Sequence, residues 1–189
     1  MSSVQCFLWI FRKLFKNVQQ FLRKNRRNFN RTTKRRPYPT APRSRVSTKM
    51  KHKELNGTHV LVLLEGEKLI ESITDFCSSK KIAAATFTVI GALREVELGF
   101  YDLAAKEYHW KKIKAELELD SATGNVAVLE GKPLVHAHAT VSDNEMHAFG
   151  GHLKEAIIGA SCEVFLTPLQ EKIERKPDEK TGLNLLMLD

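Results

Sequence analysis

Two hydrophobic periods run along this chain. Near the N-terminus Val4, Phe7, Leu8, Phe11, Leu14, Phe15, Val18, Phe21 and Leu22 recur at steps of three and four, with Arg12, Lys13, Lys16, Arg23 and Lys24 mostly on the other side. That spacing predicts an amphipathic helix. Residues 25–53 are rich in Arg, Lys, Pro, Ser and Thr with almost nothing to bury, which predicts a disordered linker. The pattern changes at Thr58. Thr58–Leu64 is an unbroken apolar run closed by Glu65-Gly66, as a buried strand would be. Residues 67–80 return to helical spacing: Leu69, Ile70, Ile73, Phe76 and Cys77 share a face, Glu67 and Glu71 stand in the first turn, and Lys80-Lys81 close the end. This charge order suits a helix dipole.

The rest reads as strands. Residues 82–90 are β-branched and apolar up to Gly91, and residues 95–100 alternate as a half-buried antiparallel strand does. Tyr108, Trp110 and Lys112 continue a partner strand after a turn at 102–106. Residues 116–119 and 125–129 predict two further strands, separated by Ser121-Ala122-Thr123-Gly124. Glu130-Gly131-Lys132 is a tight turn into Pro133 and the strand 134–142; residues 161–166 are the last core strand, ended by Pro168. From Gln170 the chain is charged, with an apolar patch at Leu183, Leu185, Leu186, Met187 and Leu188 that would dock on the body or on a neighbouring subunit. The expected class is α+β: a compact, largely antiparallel sheet of about eight strands with one or two packed helices. Residues 1–53 form the leader (helix plus linker), 54–170 the domain and 171–189 a C-terminal tail.

Charge divides the chain at the same place. The net charge over 189 residues is +8, but residues 1–53 hold 16 of the 30 Lys and Arg and none of the 22 Asp and Glu. The leader is therefore +16 and the remainder, 14 basic against 22 acidic, is −8. A basic partner-binding role rests on the leader alone. Helix and basic linker together suit a membrane-surface helix over residues 4–24, an organelle transit peptide, or an arm that contacts DNA phosphates. Arg12, Lys13 and Lys16 interrupt the apolar stretch and disfavour a secretory signal, and Met50 offers an alternative start that would leave the leader untranslated. Lys34-Arg35-Arg36-Pro37 resembles the AT-hook core Arg-Gly-Arg-Pro without its central Gly, which makes Lys34, Arg35 and Arg36 the candidate nucleic-acid contacts; a solvated charge run is the competing reading. Cys6, Cys77 and Cys162 fit neither a disulfide framework nor a zinc ribbon, so reduced thiols and a cytoplasmic location are expected, with Cys77 a buried core thiol. No apolar run approaches the roughly 18 residues that span a bilayer.

The chemistry lies in Leu134-Val135-His136-Ala137-His138-Ala139-Thr140-Val141-Ser142. On a strand Val135, Ala137, Ala139 and Val141 line one face, and His136, His138, Thr140 and Ser142 the other. Two imidazoles at i and i+2, about 7 Å apart at the backbone, can converge on one ion with bonds near ~2.1 Å. His152 follows His138 by fourteen residues within Gly150-Gly151-His152-Leu153. A glycine pair permits a turn or a close backbone approach that would bring a third imidazole to the strand. Three neutral His donors with one open position describe a zinc site that keeps a water; iron and nickel also accept imidazole. Spacing alone leaves a solvated histidine pair open. His147 competes as third ligand, and Asp143, Glu145 and Glu163 are candidate carboxylate ligands or acceptors, with a solvated turn the preferred reading of Asp143 and Glu145. His52, His59 and His109 stand isolated in sequence.

These residues resemble the PPC domain, the plant and prokaryote conserved domain, from about Thr58 to Leu169. The likeness rests on Gly66-Glu67, Ile90-Gly91-Ala92, Thr123-Gly124-Asn125-Val126, His136-Ala137-His138, Gly150-Gly151-His152-Leu153 and Glu163-Val164. The resemblance implies a compact α+β fold, a homotrimer and a metal unit on His136, His138 and His152. In plants the domain follows AT-hooks in nuclear DNA-binding proteins and mediates protein contacts. This chain lacks an intact AT-hook and has Glu116-Leu117-Glu118-Leu119 where the plant proteins carry Gly-Arg-Phe-Glu-Ile-Leu, so it is closer to a bacterial-type member. The fold is also similar to that of acetolactate decarboxylase, a zinc enzyme with a comparable histidine arrangement. Three readings follow: a trimeric metal-binding interaction module with a DNA-binding or regulatory role, a zinc-dependent lyase or decarboxylase acting on an oxo- or hydroxy-acid, and a scaffold. The enzyme reading asks for a cationic anchor in the same cleft. Arg94 is the only Arg in 54–170 and nothing in the sequence brings it to the histidines.

Overall fold

The structure, a computed structural model, describes residues 50–188. The predicted amphipathic helix over 4–24, the linker up to residue 49 and Lys34, Arg35 and Arg36 lie outside the described residues. Among the described residues eight strands and one helix follow in the order β1 (Lys51–Leu55), β2 (Thr58–Leu64), α1 (Leu69–Lys80), β3 (Ala85–Asp102), β4 (Glu107–Leu129), β5 (Lys132–Ser142), β6 (Ala148–Pro168), β7 (Glu174–Asp178) and β8 (Leu183–Met187). They form one sheet in the order β1-β2-β6-β3-β4-β7-β8, with β5 paired to both β4 and β6. Since β3 also pairs with β4 and β6, the four long strands close a circuit of hydrogen bonds. Every pairing is antiparallel except the single bridge between Val128 and Glu174.

Period explains which residues turn inward. Leu61 and Leu63 of β2, Phe87 and Val89 of β3, Ala137, Ala139 and Val141 of β5, and Val164 and Leu166 of β6 enter one core. Helix α1 covers that core with Leu69, Ile73, Phe76 and Cys77, the stripe read from sequence, and lies against β5 and β6. Its first residue is Leu69, two later than the acidic pattern predicts. Glu67 is engaged elsewhere: its carboxylate accepts the backbone N–H of Leu64 at 2.7 Å and of Met50 at 2.9 Å, tightening the turn at Gly66. The N-cap Lys68 provides no side-chain hydrogen bond. The carboxylate of Glu155, on β6, accepts from Ile70 at 2.8 Å and Glu71 at 3.2 Å in its place. A negative group at a helix N-terminus satisfies orphan donors and opposes the dipole.

Two expected breaks, at Gly91 and at residues 121–124, are absent, since β3 and β4 run through them. Residues 121–124 lie inside β4, where Gly124 pairs with Phe87 and with Ala137. A Cβ there would stand 2.4 Å from both the His136 carbonyl and the Phe87 ring, so Gly124 serves close packing and no turn. Gly150 and Gly151 likewise lie within β6, opposite Thr140 and Ala139. The strand β1 begins at Lys51, inside the expected leader, and residues 171–189 include the β7–β8 hairpin, which joins the sheet through β4. No helix among the described residues is long and apolar enough to cross a membrane.

Candidate metal centre

Strand alternation places His136 and His138 on the face of β5 opposite the buried Ala137 and Ala139. Register does the rest, because His152 on β6 is the direct partner of His138. Gly150 and Gly151 permit this pairing: a Cβ on Gly150 would meet the Ala139 carbonyl at 2.5 Å, and one on Gly151 the Gly99 carbonyl at 2.7 Å. Of the two roles foreseen for the glycine pair, close approach is the one present. The ring centroids of His136, His138 and His152 are 4.9–5.4 Å apart. One nitrogen from each ring lies within 4.8 Å of the others. Three nitrogens bonded tetrahedrally to an ion at ~2.1 Å would be roughly 3.4 Å apart, so modest side-chain rotation closes the set.

The electrostatics suit neutral donors. Burial, then His136, His138 and Arg175, depress the His152 pKa from 6.5 to about 4. Burial, then Arg175 and His138, also hold His136 below its ordinary value. Both rings are thus neutral at pH 7, as imidazole ligands must be. An aromatic wall fixes His152, with Tyr108 5.0 Å and Trp110 5.7 Å away between centroids. Trp110 in turn lies over Gly99, where a Cβ would stand 2.5 Å from the indole.

The residue that sequence reading missed is Arg175, on β7. It is 9% exposed. One of its terminal nitrogens donates to the Asn184 carbonyl at 2.7 Å; the other donates to Asn125 Oδ1 at 2.8 Å and faces His136 Nδ1 at 3.3 Å. A guanidinium only donates, so Nδ1 accepts and the neutral His136 ring carries its hydrogen on Nε2. An ion on either ring nitrogen would therefore displace the Arg175–His136 bond. No motif announces this arginine, which stands alone in a charged segment beyond the last core strand.

The other candidates lie apart. His147 is exposed and faces Asp143 at 3.4 Å and Glu145 at 3.8 Å. Asp143 accepts the backbone N–H groups of Glu145 and His147 and so forms the solvated turn. Glu163 is exposed on β6, opposite Val62 and Ile90. His109 is exposed near Asp102 and Glu107. His52 and His59 are not isolated, since Nε2 of one lies 3.1 Å from Nδ1 of the other and both rings pack on Phe76. Arg94 stands by Glu65 and Gly66, 4.0 Å from the Glu65 carboxylate. Cys77 and Cys162 are free and buried, and burial pushes their thiols up to about 11 and about 12. Neither is a nucleophile at neutral pH.

Comparison with known proteins adds a family. The model of the Plants and Prokaryotes Conserved (PCC) domain matches residues 50–170. A solved plant- and prokaryote-conserved protein from Pyrococcus horikoshii is 35% identical, with a TM-score of 0.66 over 76% of this chain and 97% of that one. A metal-containing protein from Archaeoglobus fulgidus is also 35% identical, with a TM-score of 0.66 over 76% of this chain and 99% of that one. A "putative DNA-binding protein" from Ralstonia eutropha is 31% identical, with a TM-score of 0.70 over 74% of this chain and 96% of that one. Among curated proteins none matches the chain by sequence.

Proposed function

The chain belongs to the Plants and Prokaryotes Conserved domain family, and from that premise we propose that it is a trimeric, metal-binding interaction module of the cytoplasm. His136, His138 and His152 hold one divalent ion, zinc first. The observation that carries this reading is the convergence of three imidazoles from two paired strands. The depressed pKa values of His136 and His152 support it, as does the likeness to a metal-containing relative. An all-nitrogen set of three neutral rings suits zinc, with iron and nickel as competitors. Elemental analysis of protein purified without an affinity tag tests the proposal. We expect about one metal per chain, lost in His136→Ala and His138→Ala while the fold survives; folded wild-type protein that neither retains nor takes up zinc, iron or nickel would sink the metal reading.

Exposed apolar residues support self-association. Phe100 is 70% and Met146 74% exposed. Beside Phe100 a hollow of about 490 Å³ is lined by Leu98, Ile113, Leu117 and Phe149. Light scattering across a dilution series should return three chains per particle. Any DNA contact belongs to the leader, because residues 54–189 carry −8. Binding should weaken steeply with salt and vanish in a chain starting at Met50. Salt-independent binding by residues 50–189 would move the surface to the domain.

A second reading is favoured by the cavity of about 390 Å³ that His136, His152, Tyr108 and Arg175 share. His136, His138 and His152 would hold an ion there, which would supply Lewis-acid chemistry to a small substrate. Of this chain's own groups, Arg175 would orient an anionic substrate and Tyr108, its phenol pushed further above its ordinary value mainly by burial, would hold a proton nearby. This reading expects His136→Ala to abolish turnover of an oxo- or hydroxy-acid; zinc-loaded protein inert toward such acids would remove it.

A further inference from the structure

The cavity beside the histidines contains a buried positive charge without a counter-ion. Arg175 is nine-tenths buried, and its three hydrogen-bond partners are a backbone carbonyl, an amide oxygen and an imidazole nitrogen. Among the described residues no carboxylate lies within 4.0 Å of it. Its Nε is enclosed and has no partner at all. A guanidinium keeps its charge under all ordinary conditions, and a buried charge left unpaired is costly. Proteins tolerate such a group where an anion arrives to complete it. The wall around Arg175 is built for a small one: Leu134, Val135 and Leu185 are apolar, Tyr108 is aromatic, and Lys106 adds a second cation at the rim. Glu107 also lines the cavity, but its side chain is 63% exposed.

We propose that this cavity is a binding site for a small organic carboxylate, with Arg175 of the β7–β8 hairpin as its anchor. Three of its five N–H donors are engaged and Nε is enclosed, so Arg175 offers a carboxylate its charge and the one remaining terminal N–H. The apolar wall favours an organic acid over inorganic phosphate, which would leave that wall against water. The cavity's volume, near the lower end of the range for ligand sites, admits a molecule of a few carbon atoms. Arg175 lies on the β7–β8 hairpin, beyond the residues 50–170 that the family model matches. It requires no metal: the anchor is Arg175, whatever the histidines hold.

Pyruvate and inorganic phosphate, each titrated calorimetrically into zinc-loaded and zinc-free full-length protein, test it. Saturable pyruvate binding is expected in both forms, tenfold or more tighter than phosphate. Arg175→Gln should weaken it at least tenfold with zinc stoichiometry unchanged, and Arg175→Lys should recover only part. Because Arg175 also holds Asn125 and Asn184, its loss could loosen the hairpin. Leu185→Trp, which fills the cavity and leaves Arg175 in place, should abolish binding independently. Pyruvate binding with no zinc uptake would sustain the carboxylate site and sink the metal reading. Zinc uptake with no pyruvate binding, or phosphate bound in preference, would overturn the carboxylate site and leave the metal reading intact.

Discussion

The most exacting consequence concerns Gly151, one residue before the third histidine. In Gly151→Ala the new methyl would stand 2.7 Å from the Gly99 carbonyl oxygen, where ordinary contact begins near 3.4 Å. Something must retreat by about half an ångström or more, and close-packed interiors resist that. Gly99 cannot yield freely, because Trp110 lies over it and β6 pairs with it at His152. The strain is relieved by lifting β6 from β3 at the point that aligns His152 with His138. Overpacking of this kind costs about 1–3 kcal/mol. For a domain of this size that lowers Tm by roughly 4–12 °C. Displacing His152 should also cost tenfold or more in zinc affinity, as disturbing the support of a metal ligand does. Urea melts and zinc titration against a chelator measure both. The control is Gly131→Ala, at φ +77° with open space around it, which should lose stability and keep zinc affinity. If Gly151→Ala melted and bound zinc like wild type, the argument that the glycine pair sets the site would be wrong.

Other outcomes follow from the same structure. His152 titrates near 4 in the folded protein, against about 6.5 in an unfolded chain. Above pH 6.5 both forms are neutral; between these values only the unfolded chain takes up the proton. Metal-free protein should therefore lose up to about 3 kcal/mol as pH falls through that window, and urea melts that stay flat across it would contradict the assignment. Glu155→Ala removes the remote cap of α1 and should cost about 1–2 kcal/mol, read by thermal melting of the helical circular dichroism signal. In a Cys6→Ser background a thiol reagent should label Cys77 and Cys162 only after denaturation, because both are buried.

Local periodicity carried most of this fold. Thr58–Leu64 is a strand with the bounds its apolar run gives, and the alternation through His136-Ala137-His138 places both imidazoles on the face opposite the core. The apolar stripe of α1 is buried as spacing predicts. What failed was punctuation. Gly91 and Gly124 read locally as breaks, yet each is a point where another strand's carbonyl comes too near for a side chain. The start of α1 was misread because its cap comes from Glu155, 85 residues from Ile70. Arg175 was invisible for a related reason. Its importance comes from the hairpin that folds it against Asn125 and His136, contacts 50 and 39 residues away in sequence. Period-based reading finds faces; it does not find partners that only the closed sheet brings together.

The central claim is that three imidazoles share one ion. Crystals grown with zinc, measured on both sides of the zinc absorption edge, test it most directly. The account predicts one anomalous peak per chain, bonded to a nitrogen of each of His136, His138 and His152, with Arg175 released from His136. Zinc-saturated crystals in which those three rings stay unliganded would contradict it.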